Sequence, residues 1–154
     1  MESSSRPAAF WVIAAFLVFT IAFMLVGQTC ALFDYEFTVR LGLQESRDLI
    51  GEYGVQVNRA FGLSDTLVYL PALVAALVGL VRRRPWALTA LAVAAGVSLY
   101  WPVCCAGLVT FPRGVPGFQF VVHPAYWVIF ALYVLFALWI LWYVITRGEK
   151  LVSR

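Results

Sequence analysis

Charge is scarce in this sequence. Only 12% of its 154 residues are charged, about half the share usual in a soluble domain. With 63% hydrophobic residues and a mean hydropathy of +0.88, a soluble fold would expose too much apolar surface to stay monomeric. Cysteine is almost missing: Cys30, Cys104 and Cys105 are too few for a disulfide scaffold and form no C-x-x-C. Histidine occurs once, as His123. The sequence contains no G-x-S-x-G, no H-E-x-x-H and no phosphate-binding glycine loop, so hydrolase and nucleotide readings lack support. There is no internal repeat, and no low-complexity tract beyond Ser3–Ser5. The net charge of +3 does not gather into a basic stripe with interleaved aromatics, which argues against a nucleic-acid partner.

What is present is a set of long uncharged runs. The one that organises the rest is Trp86–Phe111, which starts beside Arg82, Arg83 and Arg84 and is the third of four. At 1.5 Å per residue it reaches about 39 Å, enough for a ~30 Å hydrocarbon core and both interfaces. The expected fold is an all-α membrane protein, a four-transmembrane-helix bundle in one domain, 1–154. Its helices are expected at about 8–33, 65–81, 86–111 and 124–146, with outer loops 34–64 and 112–123 and an inner turn 82–85. The first run is too long for a signal peptide's apolar region and no small-x-small site follows it, so it is expected to stay as a helix. Gln28 and Thr29 before Cys30 also fit a lipoprotein site poorly.

A small extracytoplasmic cap is expected, made of a short β element and an amphipathic helix. Tyr35, Phe37, Val39, Leu41 and Leu43 alternate with polar residues and glycine, which predicts a strand. Phe118, Phe120 and Val122 predict a second, paired with it. Ser46, Leu49, Ile50, Tyr53, Val57, Ala60 and Phe61 recur at helical spacing, which predicts an amphipathic helix on the membrane or over the bundle. Ser64 or Asp65 is expected to cap the second membrane helix, and Pro71 to bend it.

Charge also orients the chain. Arg6, the three turn arginines, Arg147, Lys150 and Arg154 fall on one side. Arg40, Arg47, Arg59 and Arg113 share the other with six of the eight acidic residues, leaving Glu2 and Glu149 on the first. The positive-inside rule then predicts a multi-pass cell-membrane protein with both termini cytoplasmic. Trp11, Trp86 and Trp142 are expected at the inner boundary, Trp101 and Trp127 toward the outer one.

Several residues are candidates for function on the outer side. The thiols of Cys30, Cys104 and Cys105 are expected at one depth, where Cys30 could pair with either neighbour and exchange with the third. A soft-metal variant adds His123 and Asp65 as ligands. The plain alternative is that these cysteines are small packing residues. The four-helix plan is similar to that of vitamin K epoxide reductases and bacterial disulfide-generating membrane proteins, whose C-x-x-C motifs this chain lacks. Bacterial mercury carriers resemble it in using paired intramembrane cysteines, though in their first helix. Asp65 and Tyr69 share a helix face and could meet His123 as an acid–base couple, or Asp65 could serve only as a cap. Pro102 frees the Ser98 carbonyl and is expected to widen the third helix near Tyr100 and Trp101, as in cavity-lining broken helices or in a plain kink. Ala75 with Gly79, and Ala92 with Gly96, are spaced for close helix packing. No charge lies mid-membrane, where the polar residues are Thr20, Thr89 and Ser98; proton-coupled pumps and ion-selective pores lose support accordingly.

The whole plan, four spans with a strand-bearing first outer loop, resembles that of claudins, without their first-loop tryptophan and cysteine signature. The leading expectation is a non-catalytic protein. Tyr100, Trp101, Cys104, Cys105, Asp65, Tyr69 and His123 would help bind a partner membrane subunit, a second copy in a homo-oligomer, or an apolar small molecule such as a lipid or quinone. The alternative is a thiol–disulfide oxidoreductase or metal-handling protein using Cys30, Cys104 and Cys105.

Overall fold

A computed structural model describes residues 6–153. Glu2, Ser3–Ser5 and Arg154 lie outside the described residues. Four helices are long and apolar enough to cross a membrane: α1 (Ala8–Phe33), α3 (Arg47–Val81), α4 (Trp86–Thr110) and α5 (Pro124–Arg147). Two short helices complete the set, α2 (Tyr35–Arg40) after α1 and α6 (Glu149–Val152) in the tail. The long helices form a four-membered bundle in which α1 packs on α3, α3 on α4, and α4 on α5. Phe16 of α1 closes the ring by packing edge-on against Tyr133 and tilted against Phe136 of α5.

Each helix turns one stripe inward. In α1 it is Phe10, Ile13, Leu17, Thr20, Met24, Gln28 and Ala31; in α4, Ala87, Leu91, Ala94, Ala95, Ser98 and Pro102. Steps of three and four residues are what an α-helix needs to keep one face on its neighbours. The outward faces carry large apolar groups instead, among them Trp11, Phe19, Val103 and Ile145. Trp86, Trp127 and Trp142 are exposed as well, whereas Trp101 is half-buried and turned into the bundle.

No strand occurs among the described residues, so the expected β element is overturned. Tyr35–Arg40 is helical because Asp34 caps it: its Oδ1 accepts the Phe37 N–H at 2.9 Å. The local cap outweighs the alternating pattern. Residues 118–122 run without regular structure, tied to the bundle by the Gln119 N–H donating to the Leu49 carbonyl at 2.6 Å.

The separate amphipathic helix is also corrected. It is continuous with the second long helix, because a single inward stripe runs through both: Val55, Asn58, Gly62, Asp65, Tyr69, Leu73, Ala76 and Leu80. All of these are buried except the half-buried Asn58. Gly51, at φ +68°, breaks the helix after its first turn and uses a left-handed geometry that glycine tolerates. The face expected from Leu49, Tyr53 and Ala60 is consequently out of register, and Tyr53 is exposed. The expected cap of strand and surface helix is therefore replaced by α2, the start of α3 and loop 112–123.

Two π-helical turns, Met24–Thr29 in α1 and Asp65–Tyr69 in α3, face each other. Pro71 comes two residues after the second ends; the widened turn accommodates the ring that sequence reasoning expected to bend the helix. The helices approach closely there. A Cβ on Gly62 would lie 2.7 Å from the Gln28 carbonyl oxygen, and the Thr29 and Thr66 hydroxyls are 2.9 Å apart. Pro102, by contrast, leaves α4 α-helical throughout.

The opposite end of the bundle is dense. A Cβ on Gly79 would meet the Ala87 Cβ at 2.7 Å, so α3 and α4 touch through small residues. Gly96 has open space around it and does not take part in packing within the chain. Arg83 ends α3 in the left-handed region at φ 51°. The Arg83 and Arg84 N–H groups return to the Leu80 and Gly79 carbonyls, a Schellman-type stop. Arg6 donates to the Leu80 and Val81 carbonyls at 3.4 and 2.7 Å and lies over the Phe10 ring. A cation at a helix C-terminus satisfies its free carbonyls and its dipole.

Candidate ligand-binding cleft

At the end away from the arginines the helices separate and leave two adjoining hollows of ≈ 310 and ≈ 390 Å³, both bordered by Glu45, Asn58, Leu108 and Val109. The smaller one lies inside the bundle. Its apolar wall includes Phe23, Phe61, Trp101, Ile129 and Phe130, and its polar wall Gln28, Gln44, Glu45, Asn58 and Tyr126.

The polar wall is one connected chain. The Asn58 amide nitrogen lies 2.9 Å from Gln44 Oε1, 3.1 Å from Glu45 Oε2 and 3.1 Å from the Tyr35 hydroxyl. Tyr35 in turn donates to the Glu45 carbonyl at 3.0 Å, and the Tyr126 hydroxyl donates to Glu45 Oε1 at 3.1 Å. Gln44 donates to the Gly27 carbonyl at 3.1 Å and approaches Gln28 Oε1 at 3.5 Å. This links α1, the 41–46 turn, α3 and α5, so the wall also braces the open end of the bundle. Burial pushes the Tyr35 phenol up from 10.0 to about 12, with the Glu45 charge adding to the shift against the Asn58 bond, which keeps it a donor over the ordinary pH range.

Below the floor sits Asp65. It is 4% exposed, one of the few buried polar side chains among the described residues. The Trp101 indole lies beside its carboxyl group, and Oδ2 has no hydrogen-bond partner. A carboxylate with an unpartnered oxygen away from water is costly, so its position needs a reason beyond packing. It does not cap a helix as expected, since α3 begins 18 residues earlier, at Arg47. Tyr69, one turn further, spends its hydroxyl on Ser98 at 2.6 Å, worth about 1 kcal/mol net.

The structure thus gathers only part of the expected site. Trp101 and Cys105 line the cleft, with Asp65 and Tyr69 behind it. Tyr100 is exposed on the outer face of α4, beside Cys104 one turn along. His123 is exposed and caps α5, its Nδ1 accepting the Ala125 N–H at 3.2 Å. Cys30, Cys104 and Cys105 are all free thiols, and no cluster of three or more His, Cys, Asp or Glu fit to hold a metal occurs among the described residues. Gln28, Gln44, Glu45, Asn58 and Tyr126 were missed by sequence reasoning. Only Gln28, a lone amide inside an uncharged run, carried a signal there; the others read as ordinary polar residues of a loop or helix end.

Fold and cleft together define a class: a four-helix chain with spans fit to cross a membrane and an aromatic, amide-lined hollow at one end. Comparisons with models of protein families, with curated proteins and with solved structures found no match to this chain.

Proposed function

We propose that this is a multi-pass membrane protein of the cell surface, with both termini in the cytoplasm, whose cleft at the outer end binds an amphiphilic small molecule. The charge asymmetry supports the orientation: the arginine end holds Arg6, Arg82, Arg83, Arg84 and Arg147, and the hollow end most of the carboxylates. The observation that carries the binding reading is the cleft itself. Its volume is in the range of small-molecule sites, and its walls divide into rings for an apolar body and amides and a carboxylate for a polar head. Holding a molecule there needs no chemistry from the chain, in keeping with a binding role.

The cysteines supply the test. Cys105 lines the cleft, while Cys104 faces away with Tyr100. In a Cys30→Ala background, co-purified or added lipid is expected to slow maleimide labelling of Cys105 and leave Cys104 unchanged, read by mass spectrometry of the labelled peptides. Equal labelling of Cys105 with and without lipid, across a panel of lipids and quinones, would end the proposal.

A further inference from the structure

We infer that the head group this cleft takes is an organic cation, an ammonium carried on an apolar tail. The inference rests on the amphiphile reading above and adds the sign of the charge.

Glu45 is the first ground. Its carboxylate sits on the border of both hollows and receives one bond from Tyr126 and one from Asn58. A carboxylate has about four acceptor positions, so acceptor capacity is left facing the space. Arg40 pairs with Asp34 outside the cleft, and Arg47 is held by Glu52 at the border of the larger hollow; no Arg, Lys or His lines the smaller hollow, which holds the rings, among the described residues. In the smaller hollow a phosphate or carboxylate head would find no counter-charge among the lining residues and would sit against Glu45.

Asp65 is the second. Its Oδ2 is buried without a donor, behind Trp101 and within electrostatic reach of Cys105, both of which line the cleft. The smaller hollow is therefore bordered by the Glu45 carboxylate, backed by the Asp65 carboxyl, with no cation among its lining residues. The third ground is the aromatic wall of Phe23, Phe61, Trp101, Tyr126 and Phe130. Ring faces attract ammonium groups, and do so more strongly where water is excluded. A carboxylate beside several rings meets both needs of a desolvated cation, an opposite charge and polarisable walls.

The test uses the full-length protein in a non-ionic detergent and reads protection of Cys105 from alkylation. Dodecyltrimethylammonium, dodecanol and dodecyl sulfate share a tail and differ in head charge; tetramethylammonium has the head without the tail. Dodecyltrimethylammonium is expected to protect at about a tenfold lower mole fraction than dodecanol, with dodecyl sulfate weakest and tetramethylammonium ineffective. Glu45→Gln should erase the gap between the cation and the alcohol, and Glu45→Asp should retain it. Equal protection by the cation and the alcohol in the native chain overturns the inference but leaves the cleft reading standing. Protection by none of the four removes both. Protection by tetramethylammonium alone overturns the requirement for a tail. The native-chain ranking decides the matter even where Glu45→Gln fails to fold.

Discussion

The two ends of this bundle are built by opposite rules. At the arginine end α3 and α4 meet through Gly79 and Ala87 at van der Waals distance, and the surrounding core is Leu73, Ala76, Leu80 and Leu91, all buried. Polar groups there are backbone carbonyls answered by arginine. At the hollow end α1 and α3 carry one π turn each, α3 also a glycine break and a buried carboxyl, and the bundle encloses space. Small residues let backbones approach, and dispersion then holds them. At the hollow end α1 and α3 still touch at their π turns, through Gly62, and the space lies beside that pair, toward α4 and α5, bordered by long polar side chains. The dense end fixes the bundle so that the loose end can remain open.

The largest effect is expected from breaking the dense end. Gly79→Leu pushes a side chain into Ala87 and should destabilise the bundle by about 3 kcal/mol or prevent folding, measured as a fall in the thermal midpoint in detergent. Gly96→Leu, in open space, should change it by no more than about 0.5 kcal/mol. A similar loss from both would show that the Gly79–Ala87 contact is not what holds the dense end together.

Relieving the hollow end should act in the other direction. Asp65→Asn keeps an acceptor for Trp101 and removes the unsupported buried charge, so a gain of about 1–2 kcal/mol is expected. A loss of stability would mean that Oδ2 has a partner in the working protein. At the boundary between the two ends, Tyr69→Phe leaves the Ser98 hydroxyl with its bond to the Ala94 carbonyl and should cost about 1 kcal/mol.

The smallest effect concerns the polar wall at high pH. Because Tyr35 has its folded value raised to about 12, the folded state holds its proton where the unfolded chain has already lost one. Its contribution is thus complete below about pH 10 and lost as pH climbs toward 12. Thermal melts from pH 9 to 12 should show a decline that Tyr35→Phe makes shallower; an unchanged slope would remove Tyr35 from the wall's support.

The sequence disclosed three of the four long helices to within a residue, and the end of the fourth, because uncharged runs of Ala, Val, Leu and Phe leave no other way to satisfy their backbone in an apolar setting. It disclosed the triple-arginine turn for the same reason. It misled at Tyr35–Leu43, where alternation suggested a strand but the Asp34 cap closed a helix. At Asp65 a plausible cap residue proved to be mid-helix, since the stripe from Val55 to Leu80 continues through it without a break. The cleft was least legible. Gln44 and Glu45 precede Asn58 by more than a dozen residues and Tyr126 by some eighty, and nothing local marks them as neighbours.

What the sequence determined by itself is therefore the presence of four apolar spans and the bounds of three of them, which follow from uncharged run length and the cost of unpaired backbone away from water. Only the tertiary structure decided that Trp101 turns inward to Asp65, that Cys104 and Cys105 part company, and that five scattered polar residues form one wall. Those outcomes depend on how far apart whole helices sit, a distance set by Gly62, Gly79 and the two π turns acting together rather than by any one segment.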